Sequence, residues 1–404
     1  MWVSTESQPQ RERIPRAIWA LGFVSLLMDV SSELIHSLLP VFLFTSLGVS
    51  AFAIGLLEGA AEATALIVKV FSGALSDWWG KRKPLAVLGY GLGAASKPLF
   101  AMAGGLGLVV AARLIDRVGK GIRGAPRDAL VADITPPEIR GAAFGLRQAL
   151  DTVGAFLGPL AAMGLMLAWA DDFRAVFWVA TIPAFLAVAL LWFGVREPTH
   201  APAGRRVNPI RGEQLRRLPA GYWWVVGIGA IVALARFSEA FLVLRVQQGG
   251  LPLALAPLVL IVMNAVYAAA AYPFGRLADR VDHARLLAGG LLVLVAADAA
   301  LAWDGLAAVA WLGVMLWGLH MAMTQGLLAA MVADAAPADL RGTAYGMFNL
   351  ASGVMMLAGS ALAGLLWDSL GAAATFWAGG VFSALACGVV LVRRPGSAMG
   401  APNW

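Results

Sequence analysis

Several groups of ionisable residues stand inside stretches that are otherwise apolar. Met28-Asp29-Val-Ser31-Ser32-Glu33-Leu-Ile-His36 places Asp29, Glu33 and His36 at i, i+4 and i+7, one stripe down one helical face. Glu58 and Glu62 repeat the i, i+4 spacing, and Arg113, Arg117 and Lys120 form a basic stripe of the same kind. Arg147 with Asp151, and Arg236 with Glu239, are spaced for contact on one face. The first half of the chain sets Asp29, Glu33, Glu58, Glu62, Asp116 and Asp151 against Lys69, Lys97, Arg113, Arg117, Lys120 and Arg147. The signs balance, so most of these groups are expected to be paired. A carboxylate not held by a partner would be able to carry a proton near neutral pH. The expected coupling site is Asp29 or Glu33 with Arg117 opposite, and Arg113, Glu62 and Asp151 belong to the same set. A static salt-bridge network that fixes helix packing is the other reading of these residues.

The elements that must carry these charges are spanning helices. Of 404 residues, 60% are apolar and only 13% charged, whereas a soluble protein is about half apolar and about a quarter charged. Twelve apolar stretches can be drawn, at about 17–44, 53–75, 84–104, 106–130, 141–168, 174–195, 221–247, 253–275, 286–303, 307–331, 342–367 and 372–392. Each approaches the roughly 20 residues that cross a bilayer as a helix. Phe177–Phe193 and Leu286–Ala302 are apolar nearly all round, as lipid-facing helices must be. The first stretch contains Asp29 and Glu33 and no small-residue cleavage site follows it, so it is expected to be retained rather than removed as a signal peptide.

Loop charge predicts orientation. Lys81, Arg82 and Lys83, the arginines of the 196–220 segment, and Arg276, Arg280 and Arg285 fall in alternate loops, with Arg11, Arg13, Arg16, Arg393 and Arg394 at the ends. The intervening loops near 48–52, 104–106, 248–252, 304–306 and 369–371 hold no Lys or Arg. The bias puts both termini and the 196–220 linker in the cytoplasm of a bacterial-type inner membrane. The expected organisation is a cytoplasmic segment 1–16, a six-helix bundle 17–195, the linker 196–220, a second six-helix bundle 221–392 and a tail 393–404. The halves repeat. Gly73-Ala-Leu-Ser-Asp77 returns as Gly275-Arg-Leu-Ala-Asp279, and Ala132-Asp133…Arg140-Gly141-Ala-Ala-Phe-Gly145 returns as Ala333-Asp334…Arg341-Gly342-Thr-Ala-Tyr-Gly346. Parallel repeats of this kind suit a carrier whose halves rock about a central site.

Three motifs resemble those of the major facilitator superfamily, and the resemblance covers essentially the whole chain. Gly73-x-x-x-Asp77-x-x-Gly80-Lys81-Arg82 resembles its signature loop, with Trp78 where the family usually has a basic residue. The resemblance implies a cytoplasmic latch built on Gly73, Asp77, Gly80, Lys81 and Arg82, with Asp279, Arg140 and Arg341 in the repeated segments. Arg117-Val-Gly-Lys120-Gly121 resembles a second motif, whose arginine the family links to proton coupling. Gly154-Ala-Phe-Leu-Gly158-Pro159 resembles the motif of proton-coupled exporters, with Ala161-Ala162 in place of the following glycine pair and Gly359-Ser360, without proline, at the corresponding place in the second half. The implied fold is an all-α membrane protein of two pseudo-symmetric six-helix bundles. The implied activity is secondary transport by alternating access, with export of a small organic molecule against protons ahead of uptake.

The second half offers Asn264, Tyr267, Trp317, His320, Gln325 and Asn349 as cavity candidates beside His36, Arg236 and Glu239. Aromatic groups with few charges suit an amphipathic organic ligand. His320, Met321 and Met323 raise a soft metal of the copper or nickel kind as another cargo, and import of a nutrient or siderophore is the wider alternative. A non-transporting receptor or assembly factor on the same fold is a third reading. No HExxH, GxSxG or P-loop GKS/T motif occurs, so neither an enzyme nor an ATP-driven pump is expected. The single Cys387 excludes a disulfide framework or Cys-based metal site within the chain. No cofactor and no nucleic acid are expected; the expected partners are lipid, a small-molecule substrate and protons, and the expected state is a monomer.

Overall fold

The computed structural model describes residues 14–196, 215–278, 280–337 and 340–392, apart from the side chains of Ala74, Asp77 and Glu138. Asp279, the two chain ends and most of the linker therefore lie outside the described residues, as does the side chain of Asp77. All the regular structure among the described residues is helical. The helices are α1 (Arg16–Ser46), α2 (Ala51–Trp79), α3 (Lys83–Ala101), α4 (Leu106–Ile134), α5 (Arg140–Ala168), α6 (Phe173–Gly194), α7 (Ala220–Gln248), α8 (Leu253–Ala278), α9 (His283–Ala302), α10 (Ala307–Ala335), α11 (Arg341–Leu370) and α12 (Ala372–Val392). Ten of them are long and apolar enough to cross a membrane on their own sequence. The other two, α3 and α4, have the length but are less apolar; α3 carries Lys97, and α4 carries Arg113, Asp116, Arg117 and Lys120 within its span.

Local chemistry explains where the helices start and stop. Ser50 Oγ accepts from the Ala53 amide at 3.2 Å at the start of α2, Asp172 Oδ1 accepts from Arg174 and Ala175 at 3.0 Å at the start of α6, and Asp282 caps α9 through Arg285 N at 3.0 Å. Gly80 ends α2 with φ +69°, and its amide closes on the Ser76 carbonyl. Two helices are interrupted where a continuous run was expected. α1 breaks after His36, before Pro40, and finishes in a π-helical turn, Phe42–Ser46. α7 breaks between Ala235 and Ala240, where Arg236 leaves helical geometry at φ −96° and ψ 75°.

Packing follows the sequence repeat. In the first half α1 packs on α5 and α6, α4 on α2 and α3, and α3 on α6. In the second half α7 packs on α11 and α12, α10 on α8 and α9, and α9 on α12. Every first-half pair thus has its counterpart six helices later. The repeat extends to single hydrogen bonds: Arg140 Nε donates to the carbonyls of Ala132 at 3.2 Å and Thr135 at 3.3 Å, and Arg341 Nε donates to Ala333 at 3.3 Å. These arginines close the C-terminal ends of the neighbouring helices α4 and α10, each within its own half.

The halves meet chiefly through α2 against α11 and α5 against α8. One hydrophobic core, including Leu39, Phe42 and Phe177 from the first half and Phe241, Trp317 and Phe376 from the second, is common to both. It lies toward the end whose loops lack basic residues. Toward the basic end the halves have separate cores, one around Tyr90 and Leu191 and the other around Tyr222 and Leu287. The protein is therefore sealed across its charge-poor end.

Candidate functional site

α2 and α4 face each other with matched charges. Arg113 Nη2 meets Glu58 Oε2 at 2.5 Å, and Arg117 Nη1 meets Glu62 Oε1 at 2.9 Å. Both arginines are spaced i, i+4 on α4 and both glutamates i, i+4 on α2, so the pairs stack as two rungs. The next turn of α4 is Gly121, where a Cβ would come within 2.9 Å of the Ala65 carbonyl oxygen and 2.7 Å of Val68 Cβ. The missing side chain lets α4 lie directly on α2. The sequence placed a helix 1 carboxylate opposite Arg117; the structure gives it Glu62, because α2 and not α1 packs along this face of α4. Arg113 also donates to His36 Nδ1 at 2.7 Å. A guanidinium can only donate, so this ring nitrogen accepts and His36 is neutral.

A second buried pair lies behind the first. Lys97 of α3 reaches Asp116 Oδ1 at 2.7 Å and Ser32 Oγ at 3.1 Å, and Asp116 Oδ2 also stands 3.6 Å from Arg117. Asp151 stands 3.7 Å from Arg147 and 3.8 Å from Arg127, and Asp29 of α1 lies beside it.

Between the halves is a cavity of about 280 Å³. Glu33, His36, Glu58, Glu62, Arg117 and Lys120 line it from one side, and Arg236, Ser238, Glu239 and Asn264 from the other, with Ala155, Phe237, Leu260 and Met356 as apolar wall. The volume suits a small organic molecule. The break in α7 is what delivers Arg236, Ser238 and Glu239 to this wall, and the Ser238 amide is held by Ser360 Oγ of α11 at 3.0 Å. The expected i, i+3 face for Arg236 and Glu239 therefore does not exist. Arg236 is met by the Gln325 amide of α10, whose oxygen, turned toward the guanidinium, accepts from both Nη atoms at 2.9 Å.

Glu33 differs from its neighbours. It makes no hydrogen bond or ion pair among the described residues, though Lys120, Arg117 and Arg113 surround it. Its backbone is pressed by α5: a Cβ on Gly158 would meet Glu33 Cβ at 2.7 Å and the Val30 carbonyl oxygen at 2.9 Å. One helical turn earlier a Cβ on Gly154 would stand 2.5 Å from the Leu26 oxygen. The Gly154–Gly158–Pro159 motif is thus the seat on which the helix bearing Glu33 rests.

Other expected site residues lie elsewhere. Arg113 is buried behind Glu58, and neither Asp29 nor Asp151 reaches the cavity lining. His320 is fully buried and its Nδ1 donates to the Gly290 carbonyl at 2.8 Å, facing α9 and not the cavity. Met321 and Trp317 belong to the shared core, Tyr267 packs against it, and Asn349 is half-buried on α11. At the basic end Gly73 packs near Ala125 of α4, Lys81 is exposed, and Arg82 Nε pairs with Asp133 at 2.6 Å. That bond ties the loop after α2 to the end of α4. At the opposite end lies a contact the sequence did not suggest. Asp368, in the last turn of α11, accepts from Ala51 N at 3.0 Å and Phe52 N at 2.8 Å. It caps the N-terminus of α2 from the other half of the molecule.

Comparison with known proteins agrees with this architecture. The family model described as Major Facilitator Superfamily matches residues 21–360 and, again, 246–403. An uncharacterized MFS-type transporter of Methanocaldococcus jannaschii is 33% identical over 88% of this chain and 89% of its own length. The inner membrane transport protein YajR of Escherichia coli K12 is 25% identical over 92% of this chain and 81% of its own. Among solved structures, a bacterial homolog of the human lysosomal transporter Spinster, crystallised inward-facing and unoccupied, superposes with a TM-score of 0.75 at 18% identity, covering 93% of this chain and 96% of that one. The chain belongs to the major facilitator superfamily and is a multi-pass membrane transporter.

Proposed function

We propose that this transporter works by alternating access and exports a small organic molecule in exchange for protons. The observation that carries the reading is Glu33: a carboxylate in the cavity between the halves, without a hydrogen bond or ion pair among the described residues, beside Arg113 and Arg117, which are engaged with Glu58 and Glu62, and near Lys120, which lines the same cavity. Such a group is free to exchange a proton with cavity water, while the two rungs on α2 and α4 keep the rest of the ionic cluster fixed. The contact of Gly158 with Glu33 supports export, because the motif that resembles those of exporters packs against the helix turn that bears this carboxylate. Twelve spans, bundles at 17–195 and 221–392, termini and the 196–220 linker in the cytoplasm of the inner membrane, and a monomeric state complete the reading. In that orientation the basic end faces inward, and the seal at the charge-poor end makes this the inward-facing state.

The test is accumulation of a mixed panel of dyes, antibiotics, metal salts and siderophores in an exporter-deficient bacterium. Cells carrying wild type, E33Q or empty vector are compared with and without an uncoupler. Lower accumulation of some compound in wild type, lost in E33Q and with the uncoupler, is the expected result. Higher accumulation of a compound in wild type would overturn export in favour of import, and an E33Q variant as active and as pH-dependent as wild type would remove Glu33 from coupling.

A further inference from the structure

Asp298 of α9 plays no part in the cavity, yet it is among the least hydrated groups in the molecule. Its side chain is fully buried, and neither carboxylate oxygen has a hydrogen-bond partner among the described residues. It sits one turn before the end of α9, at the level of the core shared by the two halves, with Leu294, Ala297 and Leu301 of that core around it in sequence. Asp298 and Phe237 converge on α12: Asp298 Oδ2 and the Phe237 ring both lie 2.9 Å from where a Cβ on Gly379 would stand. Phe237 belongs to the break in α7 and is itself a wall of the cavity. Its ring packs on Trp317 at 5.4 Å and Phe376 at 5.6 Å, so aromatic rings separate Asp298 from cavity water.

An ionised carboxylate with no partner is not tolerated in such surroundings. The ionisable groups on the helices packed against α9 are all engaged or distant. His320 of α10 is bonded to Gly290, and Cys387 of α12 approaches Ala288. Arg245 of α7 is held by the Leu301 carbonyl at 2.7 Å, the Trp303 carbonyl at 3.0 Å and Asp304 at 2.6 Å. Arg236 and Glu239 lie on the cavity side of Phe237. We propose that Asp298 is a second proton-binding site, in the C-terminal half, held as the neutral acid while the charge-poor end is sealed and able to release its proton when that end opens. The outer part of α7, Ala240–Gln248, packs against Leu39–Val41 of the other half, so parting the halves there moves the segment that carries Phe237. Opening would admit water to Asp298, and its proton would leave to that water as hydronium.

The second part of the test rests on the alternating-access reading, and the first part does not. In the first, infrared spectra of the protein in lipid nanodiscs are recorded at mildly alkaline pH, where exposed carboxylates are ionised. A carboxylic-acid C=O stretch that shifts in protein grown on carboxyl-13C aspartate, and that D298N removes, is expected. Its absence from wild type overturns the proposal without need of any variant. In the second, Met356→Cys reports from the cavity in a Cys387→Ser background, by its labelling rate with an impermeant maleimide applied at the charge-poor side. Raising the pH speeds labelling in every variant by forming the thiolate; wild type should gain beyond that, by at most about a further tenfold per pH unit for one proton, while D298N, fixed in the neutral form, should show the thiolate slope alone. A wild-type slope in D298N overturns the proposal even if the infrared band is present.

Discussion

Replacing Asp368 by asparagine should unseal the charge-poor end. The carboxylate reaches from the last turn of α11 in one half to the first turn of α2 in the other, where its two oxygens accept from Ala51 and Phe52 at 3.0 and 2.8 Å. The amides there have no intrahelical partner, and the positive end of the helix dipole favours an anion beside them. Asparagine keeps one acceptor and loses both the second acceptor and the charge. A hydrogen bond to a charged group contributes about 1.5–3 kcal/mol and an anion at a helix start about 0.3–1 kcal/mol. Asp368 is exposed, so the lower part of these ranges applies. A loss of about 1–2 kcal/mol shifts the sealed-to-open ratio by roughly 5- to 30-fold, since about 1.4 kcal/mol is a factor of ten. The cavity cysteine at position 356, in the cysteine-free background, measures this through its labelling rate from either side. D368N should raise labelling from the charge-poor side several-fold and lower it from the basic side. Unchanged rates from both sides in a folded D368N protein would refute the argument that this cap holds the halves together.

Breaking either buried rung should destabilise the fold: R113M leaves Glu58 without its cation, at a cost of about 3–5 kcal/mol, read as a fall in thermal unfolding temperature in detergent. E58Q combined with R113M should recover much of that loss. G158V should abolish transport and lower expression, because the side chain has no room between Glu33 and Val30; G164V on the same helix, where a Cβ meets nothing, should leave both intact. At the basic end, R82D or D133R alone should shift the maleimide-reactive cysteine at position 356 toward one-sided labelling, and the R82D/D133R exchange should restore the wild-type balance, if the 2.6 Å pair holds the loop after α2 in place.

The helices and the repeat were legible because lipid imposes a coarse rule: about 20 apolar residues per crossing, with basic residues left in alternate loops. The rungs on α2 and α4 were half legible. Spacing showed that Glu58 and Glu62 share a face and that Arg113 and Arg117 share another, but α1 offered an equally spaced pair in Asp29 and Glu33. Only the tight approach at Gly121 decides for α2. The break in α7 was not legible, since Arg236-Phe-Ser-Glu239 holds neither proline nor glycine. It is stabilised from outside its own segment, by Ser360 of α11. Nothing in the spacing around Asp368 singles it out, because its role depends on a helix start more than 300 positions earlier in the chain. His320 read as a cavity candidate from its residue type alone, which does not show that the ring meets the Gly290 carbonyl of α9.

The seal at the charge-poor end also gives the conformational cycle a thermal character. In the alternation proposed above, closing that end removes Phe42, Phe241, Trp317 and their neighbours from water, and opening it would wet them again. Wetting apolar surface raises the heat capacity, and near room temperature its cost is entropic and shrinks on cooling. Cold should therefore favour the opened form, and the equilibrium between the two forms should follow a curved van't Hoff plot. The ionic rungs, which stay within one half, contribute little to that curvature, so the temperature dependence of alternation reports on the aromatic seal rather than on the charges beside it.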